Sequence, residues 1–201
     1  MNEHSFMDRA GAILDSALEL FGERSYGQTP VPLVAERAGV AAGTIYRYFP
    51  GKQGLVNAVY RRWKQALAEA VLDGLDGEGD PETAFREAWA RLCAFVVAHP
   101  KAFAFLETHH HAPYLDAESR QASLRLDTAI AEVVAGWQRR GAVRTGDPPT
   151  LVAQVYGGLV GVARLRLQLS PAIGPDLYDD TVDAAWSLLA RTPAETRRDL
   201  S

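Results

Sequence analysis

One cysteine, Cys93, occurs in 201 residues. That scarcity excludes a disulfide framework and fits a reducing, cytoplasmic compartment. No uninterrupted apolar run reaches the roughly 18 residues of a membrane span. The most apolar segment, Leu151 to Leu169, is broken by Gln154, Arg164, Arg166 and Gln168 and reads as a buried helix, so no membrane partner is expected. The N-terminus, MNEHSFMDRA, lacks the basic start and apolar run of a secretory signal. An alternating strand pattern and a fixed-period repeat are both missing. So are a nucleophile elbow, a phosphate-cradling glycine loop and a paired-carboxylate pattern. No catalytic residue, no cofactor and no enzymatic activity are therefore expected.

A further absence is local. From Arg37 to Lys64 the chain has no acidic residue but six basic ones (Arg37, Arg47, Lys52, Arg61, Arg62 and Lys64), within a protein of net charge −4. A positive block inside an acidic chain is the electrostatic footprint of a surface that meets phosphates, although a solvated basic face gives the same pattern.

What is present is helical periodicity. Ala10, Ile13, Leu14, Ala17, Leu18 and Phe21 form an apolar stripe on a first helix from about Phe6 to Gly22. Thr29 suits an N-cap, with Pro30 at the first helical position and Pro32 in the first turn, where a missing N–H costs little. Val31, Val34, Ala35 and Ala38 give this second helix its inner face, and Gly39 breaks it in a left-handed turn. A short third helix opens at Ala42-Gly43-Thr44; Ile45 and Phe49 face inward, and Thr44, Tyr46, Arg47 and Tyr48 occupy the outer arc. Pro50-Gly51 ends it. Long helices are then expected at about 52–73, 81–98, 115–140, 150–169 and 176–191, with a shorter one at 101–111. The fold class is all-α with about nine helices. The Gly74–Pro81 loop is the clearest boundary, and it divides the chain into segments 1–51, 52–75 and 76–201.

Helix, glycine turn and short helix outline a helix-turn-helix unit. Leu20-Phe21, Ala35-x-x-Ala38-Gly39-Val40, Gly43-Thr44-Ile45-Tyr46, Tyr48-Phe49 and Lys52-x-x-Leu55 stand in order and at fixed spacing. Over residues 9–60 the chain resembles the DNA-binding segment of the TetR family of transcriptional regulators. The resemblance implies that 1–51 is a three-helix DNA-binding head, 52–75 a connecting fourth helix and 76–201 a helical effector-binding and dimerisation domain, with a homodimer closed by the last two helices of each chain. It implies a repressor that binds a palindromic double-stranded operator and is released by a small apolar or aromatic molecule, which tilts helix four and changes the spacing of the heads.

In the head, Thr44, Tyr46, Tyr48 and Lys52 suit phosphates, and Arg47 suits a guanine edge. Thr29, Ala41, Ala42 and Gly43 complete the DNA-contacting set. Backbone N–H groups near Pro32 and Gly43 can add phosphate contacts. The two alanines stand where the family usually has polar residues; alanine can touch a thymine methyl but donates no hydrogen bond. By the resemblance, Trp89, Leu92, Val96, Phe103, Leu106, His110, Tyr114 and Ile130 come from the effector-enclosing helices, although plain core explains each as well. Glu107 and Asp127 would suit a cation. For the dimer, Tyr156, Gly157, Val160, Gly161, Val182, Ala185, Trp186 and Leu189 offer small and apolar surface that a two-fold axis could pair with itself. The run His109-His110-His111 invites a metal, but helical neighbours point about 100° apart and cannot converge on one ion. No metal site is expected. The alternatives are a DNA-binding regulator with no small-molecule effector, controlled by a protein partner, and an enzyme with a DNA-like head.

Overall fold

The computed structural model describes residues 3–24, 26–75, 79–108, 113–170 and 172–191. Among them are nine α-helices and no strand: α1 (Glu3–Arg24), α2 (Val31–Arg37), α3 (Ala42–Tyr48), α4 (Gly51–Leu72), α5 (Pro81–Ala98), α6 (Pro100–Thr108), α7 (Ala117–Arg139), α8 (Pro148–Leu169) and α9 (Leu177–Leu189). By contacts the chain forms two units, residues 1–65 with 101–122, and residues 66–100 with 123–201.

The first unit is built on α1, whose Ile13, Ala17, Leu20 and Phe21 are fully buried at helical spacing. The second helix begins one residue later than its sequence suggests. Pro30, in extended conformation, is the N-cap and makes no side-chain cap bond, while Val31 is the first helical residue. The reason lies in Thr29: its hydroxyl turns inward and donates to the Leu20 carbonyl at 3.2 Å, closing the α1–α2 loop instead of capping α2. Gly39 adopts φ +66° and Gly51 φ +71°, so both turns that bracket α3 use a left-handed backbone that a side chain would strain. Around Gly39 the Val40 N–H returns to the Ala35 carbonyl at 3.0 Å, satisfying a carbonyl that the end of α2 leaves over.

The inner stripe of α4 passes through Leu55, Val56, Val59, Tyr60 and Lys64; Lys64 therefore points into the unit. Asn57 on the same helix is 0% exposed. Its amide donates to the Gln53 carbonyl at 2.8 Å and the Tyr114 carbonyl at 2.9 Å, and its oxygen accepts from the Asp116 N–H at 2.9 Å. Arg61, one turn further on, bonds the Asp116 carboxylate at 2.9 Å and the Ser119 hydroxyl at 3.1 Å. One polar row at i, i+4 and i+8 thus fixes the chain that enters α7, while the apolar rows beside it make the core.

In the second unit α5 and α8 start in the same way. Asp80 accepts from the Thr83 N–H at 2.9 Å, and Asp147 accepts from the Thr150 N–H at 3.0 Å. Each aspartate is followed by a proline that is pre-shaped for the first turn. Helix α9 packs on α5 and α8. The Trp89 indole N–H donates to the Thr181 hydroxyl at 2.9 Å, which in turn donates to the Leu177 carbonyl at 2.6 Å. Phe85 stacks on Trp89 and tilts against Trp186, with centroids 5.4 Å apart in both pairs. Val182, Ala185 and Leu189, expected at a dimer face, are instead buried inside this unit. That is the correction the packing of α9 imposes: its apolar stripe is already used within the protomer. Tyr156 and Val160 are half-buried, and Gly157 and Gly161 are exposed.

Candidate nucleic-acid interface and effector residues

Helix α3 is seven residues long and divides cleanly into two sides. Ile45 is fully buried and Phe49 closes the same side, which holds the helix on α2. On the other side Tyr46 is 56% exposed, Arg47 is exposed, and Ala41 and Gly43 stand open to solvent, with Ala42, Thr44 and Tyr48 partly covered. The Tyr48 ring lies against Phe49, centroids 6.1 Å apart. Arg47 has no hydrogen bond or ion pair with any described residue, so its guanidinium is fully available to a base edge or a phosphate. Ala41, the N-cap, supplies no side-chain bond.

Thr29 does not belong to this surface. Its side chain is 0% exposed and its hydroxyl is committed to Leu20, so no phosphate reaches it. Lys52 is partly covered: its ammonium donates to the Gly27 carbonyl at 3.2 Å and stands 4.4 Å from the centroid of the Tyr26 ring. Burial lowers its affinity for the proton. Tyr26 in turn stacks on Tyr114 with centroids 4.0 Å apart. Lys52 is thus a latch from the start of α4 to the α1–α2 loop as well as a cation beside the candidate DNA face.

The basic block changes most on folding. Arg37 pairs with Glu23 at 2.7 Å, Arg61 with Asp116 at 2.9 Å, Arg62 with Asp15 at 2.9 Å and Lys64 with Glu107 at 3.6 Å. The Arg37 hydrogen bond holds the Glu23 carboxyl below its usual range. Four of the six cations are therefore matched by carboxylates distant in sequence, and Arg47 and Lys52 remain. The block is mainly an internal ion-pair framework.

The eight effector residues named from sequence fall into both units. Trp89, Leu92, Val96 and Ile130 lie in the second, and Phe103, Leu106 and Tyr114 in the first; His110 lies outside the described residues. Trp89, Leu92, Val96, Phe103 and Leu106 are buried and Ile130 is half-buried. The single polar atom of Trp89 is spent on Thr181, and the Tyr114 ring is spent on Tyr26. Cys93 is buried 3.9 Å from the Thr181 hydroxyl, and burial pushes its thiol up to about 11, the behaviour of an inert core cysteine. The histidine run lies outside the described residues; among those described, no three metal-binding side chains cluster. No single described helix is long and apolar enough to cross a membrane.

Sequence reasoning missed Asn57 and Ser119, two buried polar groups of the first unit, and the partly exposed Asp116 that bonds to both. Their signal was present as the row Gln53, Asn57, Arg61 on a helix otherwise apolar at that spacing. Thr181 was missed as well, since one threonine in an apolar stripe carries no pattern.

Residues 13–59 match the family model described as bacterial regulatory proteins, tetR family, and residues 60–190 match the tetracyclin repressor-like C-terminal domain. Among curated proteins, the HTH-type transcriptional regulator RutR of Escherichia coli K12 is 28% identical over 181 residues, 84% of this chain and 80% of that protein. The fatty acid metabolism regulator protein of Bacillus subtilis is 29% identical over 62% of this chain, a match that spans 60% of that protein's length. A TetR family transcription regulator from Marinobacter aquaeolei VT8 superposes with a TM-score of 0.82 at 19% identity, covering 95% of this chain and 100% of that one. FadR of Bacillus subtilis, solved in complex with stearoyl-CoA, gives 0.69 at 18% identity over 89% of this chain and 96% of that one. At these identities the structural likeness is one of fold.

Proposed function

The chain belongs to the tetR family of bacterial regulatory proteins, and on that premise we propose that it is a ligand-responsive transcriptional repressor. It binds a palindromic operator as a homodimer and is released by a small apolar or aromatic effector. The observation that carries the reading is the two-sidedness of α3: Ile45 locks one side into the head, while Thr44, Tyr46 and an unpaired Arg47 form the other. A helix held this way can enter a major groove without losing its core. Arg47 is the base reader. Thr44, Tyr46 and Lys52 contact phosphates, and Ala41, Ala42 and Gly43 allow close approach; Tyr48, expected from sequence to join them, has its hydroxyl buried and serves the head's packing instead.

Exposed apolar residues support the dimer. Leu165 and Leu169 lie one turn apart on α8 and Leu188 on α9, all exposed. On α8 a side-chain carbon built at Gly157 or Gly161 would meet nothing within 4 Å. These exposed residues take the place of Val182, Ala185 and Leu189 in the proposed two-fold contact, whereas Trp186 packs against Phe85 within the protomer. An apolar effector is supported by the aromatic content of α5 and α6 and by the relative named a fatty acid metabolism regulator. The effector shifts the equilibrium between bound and released states only by its difference in affinity for them.

The deep burial of Trp89, Leu92, Val96 and Phe103 favours a second reading, a regulator without a small-molecule effector that is controlled by a protein partner. One experiment separates them. Footprinting on DNA flanking the protein's own gene should reveal a symmetric protected site, and a metabolite library should contain a compound that releases it. A symmetric footprint that no compound releases selects the second reading; no footprint at any site removes both.

A further inference from the structure

Lys52, the cation at the start of α4, is held through the chain that links α6 to α7. Its ammonium donates to the Gly27 carbonyl at 3.2 Å and stands 4.4 Å from the centroid of the Tyr26 ring. The Tyr114 ring stacks on that same ring, centroids 4.0 Å apart and planes 29° from parallel. A cation and a ring this close to one centroid cannot share a face, so Tyr26 is clamped between them. Tyr26 stands in the turn between α1 and α2, and its other ring neighbour, Phe21, is 6.0 Å away. Tyr114 is itself fixed to α4: its carbonyl accepts from the Gln53 amide at 3.2 Å and the Asn57 amide at 2.9 Å. The contacts close a circuit, from the start of α4 through Tyr26 and Tyr114 back to α4. All of it lies within the first unit.

We propose that Tyr114 is a positioning residue for DNA binding: it holds the Tyr26 ring, and the ring holds the Lys52 ammonium ready for a phosphate. A cation over an aromatic face adds little to stability at a partly exposed site. It does remove rotamers from a long, flexible side chain, and that ordering is a cost a phosphate contact otherwise carries. An ammonium has three donors; Gly27 takes one and the ring face a second direction, so a donor remains for a phosphate oxygen. The inference rests on the reading of Lys52 as a phosphate contact. Tyr114, expected from sequence among the effector residues, then serves the DNA face.

Anisotropy titration of the full chain with a fluorescein-labelled duplex of random sequence, over a series of salt concentrations, tests it. Lys52→Met should weaken binding and make the slope of log K against log salt shallower by about 1 per head, the loss of one phosphate contact. Tyr114→Ala should weaken the same duplex roughly three- to tenfold per head, the cost of ordering a freed lysine. Its salt slope should stay at the wild-type value, because Lys52 still meets its phosphate. Tyr114→Phe, which keeps the ring, should restore wild-type affinity. In the Lys52→Met background Tyr114→Ala should cost nothing further, a result that general loosening of the head would not give. The proposal is overturned if Tyr114→Ala binds as the wild type does, if Tyr114→Phe binds as poorly as Tyr114→Ala, or if the cost is the same with and without Lys52. Should a melting curve show Tyr114→Ala unfolded, Tyr114→Leu, with apolar bulk but no ring face, takes its place. An unfolded Tyr114→Leu would make the clamp structural and overturn the proposal. Weakening by Lys52→Met but not by Tyr114→Ala would sink the positioning role and leave the DNA reading standing. A wild-type chain that binds no duplex would remove both.

Discussion

The Asn57 amide donates to the Tyr114 carbonyl at 2.9 Å while its oxygen accepts the Asp116 N–H at 2.9 Å. One fully buried side chain thereby joins α4 to the segment that enters α7, across 57 positions of sequence. Asn57→Leu fills similar space and strands the Asp116 N–H. It should cost about 1–3 kcal/mol, the penalty of a buried unsatisfied donor. Urea denaturation followed by circular dichroism measures it, and an unchanged midpoint would show that water reaches the site.

Asp116 also gives that junction a pH dependence. Burial acts to raise its carboxyl, but hydrogen bonds from Ser119 and Arg61 outweigh burial and hold it below the usual range. A carboxylate lowered on folding contributes stability that is present above its ordinary value, near about 3.9, and is lost as pH falls through the lowered one. Melting temperatures of wild type and Asp116→Asn should therefore converge on acidification, starting below about pH 4. Parallel curves would remove Asp116 as a contributor.

Arg47 and Lys52 should separate by assay. Arg47→Ala leaves the melting temperature unchanged, since the side chain has no described partner, and lowers discrimination between operator and scrambled DNA by about 1–3 kcal/mol. Lys52→Ala weakens both DNAs alike and also lowers stability, because the bond to Gly27 and the contact with Tyr26 go with it. Anisotropy titrations on the two DNAs, paired with melts, check both halves. Equal losses on both DNAs for Arg47→Ala would rule it out as the reader.

The ion pairs set the salt dependence. If all six cations of the 37–64 block met phosphates, a dimer would show a slope of log K against log salt of about −11; Arg47 and Lys52 alone give about −4. The measured slope should lie near the smaller value. A slope near −11 would mean that the pairs to Glu23, Asp15, Asp116 and Glu107 open on DNA.

Thr181→Val should destabilise the second unit by about 1–3 kcal/mol, because the Trp89 indole N–H, buried at 2.9 Å from the hydroxyl, loses its acceptor. Tryptophan fluorescence during denaturation would follow it directly.

The helices were legible because each packs one periodic apolar stripe, and the head because Gly39, Gly51 and the spacing of Ile45 and Phe49 are local signals. The start of α2 was misread by one residue, since the Thr29 hydroxyl chose the Leu20 carbonyl nine positions away over its own helix. The charge block misled for the same reason: a run of like charge is visible in sequence, whereas Glu23, Asp15, Asp116 and Glu107 come to it only on folding. On α9 the apolar residues were visible but not which side a neighbour had already claimed. Val182, Ala185 and Leu189 went inward, leaving Leu188 outside.

The pairing of Arg37, Arg61, Arg62 and Lys64 reaches beyond the operator. Attraction to phosphate is what lets bulk chromosomal sequence soak up a regulator. A head whose positive charge is mostly cancelled from within makes the genome a shallow sink. On the reading proposed above, few copies per cell would then suffice to keep one operator occupied, and a modest amount of effector would empty it.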